Sequence, residues 1–152
     1  MQQRNMEEKD LAACARLFAR VFSADPWNEP WDDELALRRL VHFHDSSGFV
    51  GVVAQRQEVV GFALGNLEPF CTGTLFYLRE MCINTAQQSK GVGTQLYHAL
   101  QRELESRHVR AVYLATYRGI PAASFYEGRG FHRSDNMAFY AKRLATSPLA
   151  TD

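Results

Sequence analysis

The chain has 152 residues, with 17 lysines and arginines balancing 17 aspartates and glutamates, and 46% of it is hydrophobic. That length corresponds to one ordinary domain and excludes two, and the apolar fraction is enough to bury a core without disulfide or metal staples. The zero net charge excludes a general polyanion binder, so nucleic acid is not expected as a partner.

Residues 1–10 are polar and carry no apolar run of the kind a signal peptide needs. Over 11–22, Leu11, Cys14, Ala15, Phe18 and Phe22 recur at helical spacing, with Asp10 placed to cap the start. The stretch Asp25-Pro26-Trp27-Asn28-Glu29-Pro30-Trp31 follows, and its prolines break any helix there. A second helix is expected over 33–44, capped by Asp32, with Leu35, Leu40 and Val41 on its buried side. Residues 49–56 and 59–67 read as a hairpin turning at Gln57-Glu58. After a loop over 68–73, residues 74–83 form a longer strand, rich in the aromatic and aliphatic side chains of a central strand.

A polar loop over 84–90 leads to a helix over 91–107, with Val92, Leu96, Ala99, Leu100 and Leu104 on one face. Residues 111–117 make the next strand, so strand, helix and strand imply a right-handed parallel crossover. A short helix begins at Pro121, a favoured first helical residue. It ends at Gly130, suited to a left-handed backbone, with Phe131 packing behind it. A last strand is expected over 137–142 and a flexible tail over 146–152, which leaves one domain over 1–145. No run approaches the roughly 20 apolar residues that span a bilayer, so no membrane partner is expected.

Cys14, Cys71 and Cys82 are odd in number and not closely paired, which fits free thiols in a reducing cytosol and a cytoplasmic location. No Cys/His spacing matches a zinc site, and His42 and His44 lie two apart and face different ways on a helix. No metal is expected.

The most informative stretch is Gln88-Ser89-Lys90-Gly91-Val92-Gly93-Thr94, between a strand and a helix. Glycines let the backbone turn tightly and approach a ligand, and the first amides of a helix point outward at its positive end. A pyrophosphate is the natural guest of such a turn. A Rossmann turn needs a third glycine where Leu96 stands, and no P-loop string is present. The pattern that fits is [Q/R]xxGxG. A second string, Gly119-Ile-Pro-Ala122-Ala-Ser-Phe125-Tyr126-Glu-Gly-Arg-Gly130-Phe131, lies in the last helix.

Together these strings resemble the two signatures of the GCN5-related N-acetyltransferase (GNAT) superfamily, and the order of elements matches over nearly the whole chain. Part of the chain is similar to the bacterial aminoglycoside-acetyltransferase-like branch. The resemblance implies an α/β GNAT fold: a mixed, mostly antiparallel sheet with two splayed parallel central strands and flanking helices. It implies acetyl-CoA as cosubstrate, with the pyrophosphate held by Gln88, Ser89, Lys90, Gly91, Val92, Gly93 and Thr94. It also implies cofactor contacts from Met81, Cys82 and Ile83 in the first parallel strand and from Gly119, Ala122 and Phe125. Gly119 replaces the family's frequent asparagine.

Moving an acetyl group from a thioester to an amine needs a proton acceptor, a polarised carbonyl and a proton for the leaving thiolate. Glu80 is the candidate base. A carboxylate in an apolar strand is costly unless paired or used, and pairing with Arg79 is the structural alternative. Alternation puts Glu80 on one face with Leu78 and Cys82. The resemblance makes Tyr126 the general acid, with helix packing as its alternative role. Cys82 reads as a small hydrophobe rather than a nucleophile. The resemblance implies an acceptor site between the N-terminal helical pair and the cofactor-facing strands, where Trp27, Asn28, Trp31, Phe76 and Tyr77, with Phe70, Glu29 and Glu68, are the candidate lining. Aromatic and acidic groups suit a cationic amine, and sealing the core is the alternative role of the tryptophans. The expected acceptor is a small-molecule or peptide amine. The alternatives are acetylation of a protein N-terminus or lysine, and an acyl-CoA sensor without turnover. A homodimer is compatible with an exposed terminal strand.

Overall fold

In the computed structural model, which describes residues 1–145, five strands form one sheet: β1 (Gln2–Asn5), β2 (Phe49–Gln55), β3 (Val59–Phe70), β4 (Gly73–Ile83) and β5 (Ala111–Tyr113), in that spatial order. Strands β1 to β4 run antiparallel and β5 joins β4 in parallel. The tail expected over 146–152 lies outside the described residues. Residues 1–145 fall into two compact units, Met1–Leu114 and the chain from Ala115 on.

The first unit holds the sheet and three helices: α1 (Leu11–Phe22), α2 (Asp33–His44) and α3 (Val92–Ser106). Helix α1 buries Leu11, Cys14, Ala15, Phe18 and Phe22, as its spacing predicts. These join Ala36, Leu40 and Phe43 of α2 and Val53, Phe62, Leu64 and Cys82 of the sheet in one core cluster. Each large apolar side chain buried there contributes roughly 1.5–3 kcal/mol. Helix α3 packs on β2 and β3 and buries Val92, Leu96, Tyr97, Leu100 and Leu104. The segment β4–α3–β5 is the parallel crossover expected from the sequence.

Three local expectations are corrected, and one further element enters that the sequence did not suggest. Leu35 is exposed, and Ala36 and Phe43 take the buried side of α2. Strand β3 continues to Phe70, leaving only a tight turn before β4. The N-terminal polar segment forms an edge strand, pairing Gln2–Asn5 with β2. Asp10 precedes α1 but does not cap it with its side chain. Its carboxylate instead accepts two hydrogen bonds from Arg4, at 2.7 and 2.8 Å, and one from the Glu7 amide. Asp32, by contrast, caps α2 through the Leu35 amide at 2.7 Å.

The second unit contains α4 (Pro121–Glu127), with the proline in its first turn. The chain turns after it, with Gly130 at φ +88° and the Phe131 amide donating to the Tyr126 carbonyl at 3.2 Å. The strand expected over 111–117 is shortened to Ala111–Tyr113, and the one over 137–142 is absent. Met137, Phe139 and Tyr140 are exposed there, and among the described residues no strand pairs with their backbone.

Candidate active site

The pairing of β4 positions the candidate chemistry. Its register with β3 shifts by one residue between Leu64 and Gly65: Leu64 faces Glu80, but Gly65 faces Leu78. Arg79 is therefore the extra residue of a β-bulge, a device that breaks alternation and re-aims side chains. Glu80 and Cys82 keep to the side of α1 and α2, whereas Leu78 and Phe76 are buried outside that core cluster. The expected shared face of Leu78 with Glu80 is thus corrected by the bulge. A side chain on Gly65 would meet the Tyr77 carbonyl oxygen at 1.9 Å, so only glycine fits opposite this distortion.

Consecutive residues Arg79 and Glu80 both reach α2. The Arg79 guanidinium lies 4.1 Å from the Tyr77 ring and 5.4 Å from the Phe43 ring. Glu80 pairs with Arg39 of α2, Nε to Oε1 at 2.6 Å, and not with Arg79 as its neighbour in sequence would suggest. The Glu80 side chain is only 11% exposed. Burial pushes its carboxyl above the usual glutamate range, and the Arg39 guanidinium opposes that shift. Arg39 also lies 4.9 Å from the Phe43 ring and 5.7 Å from Trp31.

The residues expected around an acceptor divide into two groups. Trp31 packs edge-on to Phe18 at 4.8 Å and donates its indole N–H to Glu29 at 3.1 Å. Trp27 packs on Phe22, and Asn28, at φ +49°, donates to Asp25. Tyr77 is half-buried beside Tyr113, whose hydroxyl donates to Glu68. Trp31 reaches the Glu80 pair through Arg39, and Tyr77 reaches Phe43 of α2 through Arg79. Phe76 has no exposed surface and lies in the interior near Gly65, while Phe70 is an exposed side chain at the far end of β3. Arg39 is the residue that sequence reasoning missed. It sits 41 positions from Glu80, and no local pattern links the two.

Strand β5 pairs only with Leu75, Phe76 and Tyr77, so β4 continues through Met81, Cys82 and Ile83 beyond the end of the parallel ladder. Cys82 is buried, and its desolvated thiol is pushed well above its ordinary value, which disfavours a thiolate nucleophile. The loop after β4 contains a 3-10 turn, Thr85–Gln87. The Gln88 side-chain amide donates to the Ile83 carbonyl at 3.0 Å, tying the loop to the end of the strand. Ser89 and Gly91 both have positive φ, +63° and +78°. Gly91 is the N-cap of α3, and the first helical bond runs from Gln95 to its carbonyl. The amides of Val92 and Gly93 precede that bond and have no partner within the helix. Among the described residues, nothing beyond its own chain neighbours lies within 4 Å of where a Gly91 side chain would begin, so the backbone is open to close approach. This turn fits an anionic diphosphate, with Lys90 exposed beside it.

In the second unit, Ala122, Phe125 and Tyr126 lie on α4, and Gly119, at φ +73°, precedes it. The Tyr126 ring packs against Phe125 and Phe131, each at 5.4 Å. Arg129 stacks on Phe125 at 3.8 Å. Among the described residues, no group of three or more His, Cys, Asp or Glu could hold a metal ion, and no helix is long and apolar enough to cross a membrane.

Comparison with known proteins identifies the fold. The family model described as Acetyltransferase (GNAT) family matches residues 11–131 and so reaches into both units. No protein of curated function matches significantly. Among solved structures, a possible acetyltransferase from Clostridium difficile 630 is similar at 13% identity, with TM-score 0.78 over 94% of this chain and 97% of that one. The aminoglycoside acetyltransferase AAC(6')-Iy, solved with a bisubstrate analogue of CoA and acetylneamine, shares 18% identity at TM-score 0.72, covering 94% of this chain and 98% of its own. An aminoglycoside acetyltransferase from an uncultured soil metagenomic sample, solved with sisomicin, shares 19% identity at TM-score 0.73, covering 94% and 95%. The chain belongs to the acetyltransferase (GNAT) family, whose chemistry is acetyl-CoA-dependent acetyl transfer.

Proposed function

We propose that this protein transfers an acetyl group from acetyl-CoA to the primary amine of a small, cationic acceptor by direct attack within a ternary complex. The observation that carries this reading is the nearly buried Glu80 carboxylate. A β-bulge turns it toward aromatic and cationic side chains of α2 and its preceding loop, on the strand that leads into the open turn at Gly91.

Acetyl-CoA supplies an activated thioester. The chain's own residues account for the rest. The amides of the 88–94 turn hold the diphosphate, with Gln88 fixing the turn to β4. Backbone groups of Met81, Cys82 and Ile83, past the end of the β5 ladder, accept the extended arm. Glu80 takes the ammonium proton, directly or through one water, because only the neutral amine attacks. Its raised affinity for protons, caused first by burial, favours that task. Tyr126 returns a proton to the leaving sulfur, and Gly119, Ala122 and Phe125 flank the cofactor arm. Trp31 and Tyr77 border the acceptor, with Trp27 and Asn28 shaping the loop behind it. The solved relatives that carry aminoglycoside ligands support a polycationic small molecule over a peptide.

The reading is tested by following thiol release from acetyl-CoA across a panel of aminoglycosides, polyamines and short peptides. Turnover with small polyamines or aminoglycosides is expected. Binding of acetyl-CoA without turnover of any amine would favour a sensor instead.

A further inference from the structure

The Glu80 site already contains a cation, and it comes from the protein itself. Arg39 places Nε 2.6 Å from Oε1 of Glu80 and its guanidinium against the rings of Phe43 and Trp31. A carboxylate with aromatic faces around it is the arrangement that receives an alkylammonium ion. We propose that Arg39 is an internal stand-in for the acceptor's ammonium group, a gate that occupies the cation subsite until a cationic substrate displaces it and frees Glu80. The inference rests on Glu80 serving as the proton acceptor.

Three observations support displacement rather than a fixed brace. Contact with Glu80 is through one hydrogen bond, and the Arg39 side chain is 41% exposed, so the guanidinium has a path into solvent. Glu80, in contrast, is 11% exposed and cannot be left buried and unpaired, so something positive must replace the guanidinium as it leaves. Charge balance sets the same requirement. Beside Glu80 stand Arg39 from α2, Arg79 on its own strand and Glu29 from the α1–α2 loop. Opposite it on β3 is neutral Leu64, and Cys82, with Cys14 of α1, presents un-ionised thiols. Two carboxylates and two guanidinia cancel; with Arg39 swung out the cluster carries −1 and attracts a cation.

The consequence is selectivity. While the Arg39 guanidinium rests on Glu80 it favours the ionised carboxylate and lowers its affinity for a proton, and arginine itself does not release one at working pH. A neutral nucleophile such as water has no charge with which to compete for Glu80. Only an ammonium group opens the site, and it then lies beside the base that must deprotonate it.

The test uses the full chain in wild-type, Arg39→Gln, Arg39→Lys and Glu80→Gln forms. Glu80 is titrated by carboxyl-carbon NMR, and propane-1,3-diamine binding is measured by calorimetry at pH 8. Arg39→Gln should raise the Glu80 midpoint by roughly one pH unit and tighten the diamine about tenfold, because a competitor has gone. Arg39→Lys should keep the midpoint near wild type, since it keeps the charge. Glu80→Gln should abolish diamine binding whichever residue stands at 39. Equal diamine affinity in wild type and Arg39→Gln, including no measurable binding to either, or an unmoved midpoint, overturns the gate. Coenzyme A uptake is followed on the same samples. Its absence alongside a tighter diamine would defeat the acetyl-transfer reading and leave Arg39 only as the occupant of a cation subsite; the reverse pattern would remove only the gate.

Discussion

Replacing Glu80 with glutamine separates catalysis from stability. The substitution keeps the shape of the side chain and removes its charge and its ability to accept a proton. Loss of a general base lowers turnover by about 10²–10⁴, which is roughly 2.7–5.4 kcal/mol on the barrier. Stability should move little. Arg39 is 41% exposed and regains water when its partner is neutralised, so the lost ion pair is worth about 0–1 kcal/mol. Burial raises the folded-state pKa of Glu80, so the ionised carboxylate costs stability at neutral pH, and that cost disappears on neutralisation. The two effects oppose, and Tm should stay within about 3 °C. Steady-state kinetics with acetyl-CoA and a reactive amine should therefore show kcat falling at least a hundredfold with coenzyme A affinity unchanged. In wild type, kcat/KM should fall on acidification along a limb lying above the ordinary glutamate range, and the variant should lack that limb. Turnover within threefold of wild type, with the acid limb intact, would refute Glu80 as the base.

Other perturbations probe the supporting structure. Asp10→Ala removes the nearly buried carboxylate that pairs with the part-buried Arg4 fork and strands the Glu7 amide, so it should cost about 2–4 kcal/mol in a denaturant titration. The Asp10 carboxyl is held below its ordinary value, first by the Arg4 hydrogen bond, so its contribution is present above that value and lost as pH falls through the depressed one. The wild type should lose more stability than the variant across that acidic range. Gly65→Ala drives a methyl group into the Tyr77 carbonyl; the bulge must shift, with a loss of about 1–3 kcal/mol and a drop in activity exceeding that in coenzyme A affinity. Tyr126→Phe should lower kcat while leaving coenzyme A affinity roughly constant, and an unchanged kcat would assign that ring to packing alone.

Much of the first unit was legible because it rests on local periodicity. Phe18 and Phe22, or Leu96, Leu100 and Leu104, announce helices through spacing alone, and Gly91 announces a turn that needs positive φ. Long-range pairing was not legible. Strand β1 has four polar residues and exists because β2 offers an edge. The bulge at Arg79 reflects register with β3, and it decides that Arg79 and Glu80 both reach α2. Phe76 looked like a pocket wall because strand aromatics do not reveal which side of a sheet they occupy; it has no exposed surface. The 137–142 segment has strand-like composition, but a strand also needs a neighbour, and among the described residues none pairs with it.

Calorimetry of acetyl-CoA against wild type and Gly91→Val addresses the diphosphate turn most directly. Wild type should bind saturably, with a dissociation constant between about 1 μM and 1 mM. Valine at φ +78° adds about 1–2 kcal/mol of backbone strain and a side chain where the ligand approaches, so affinity should fall at least about tenfold. A folded wild-type protein that takes up no acetyl-CoA, or a valine variant that binds it as tightly, would contradict the account.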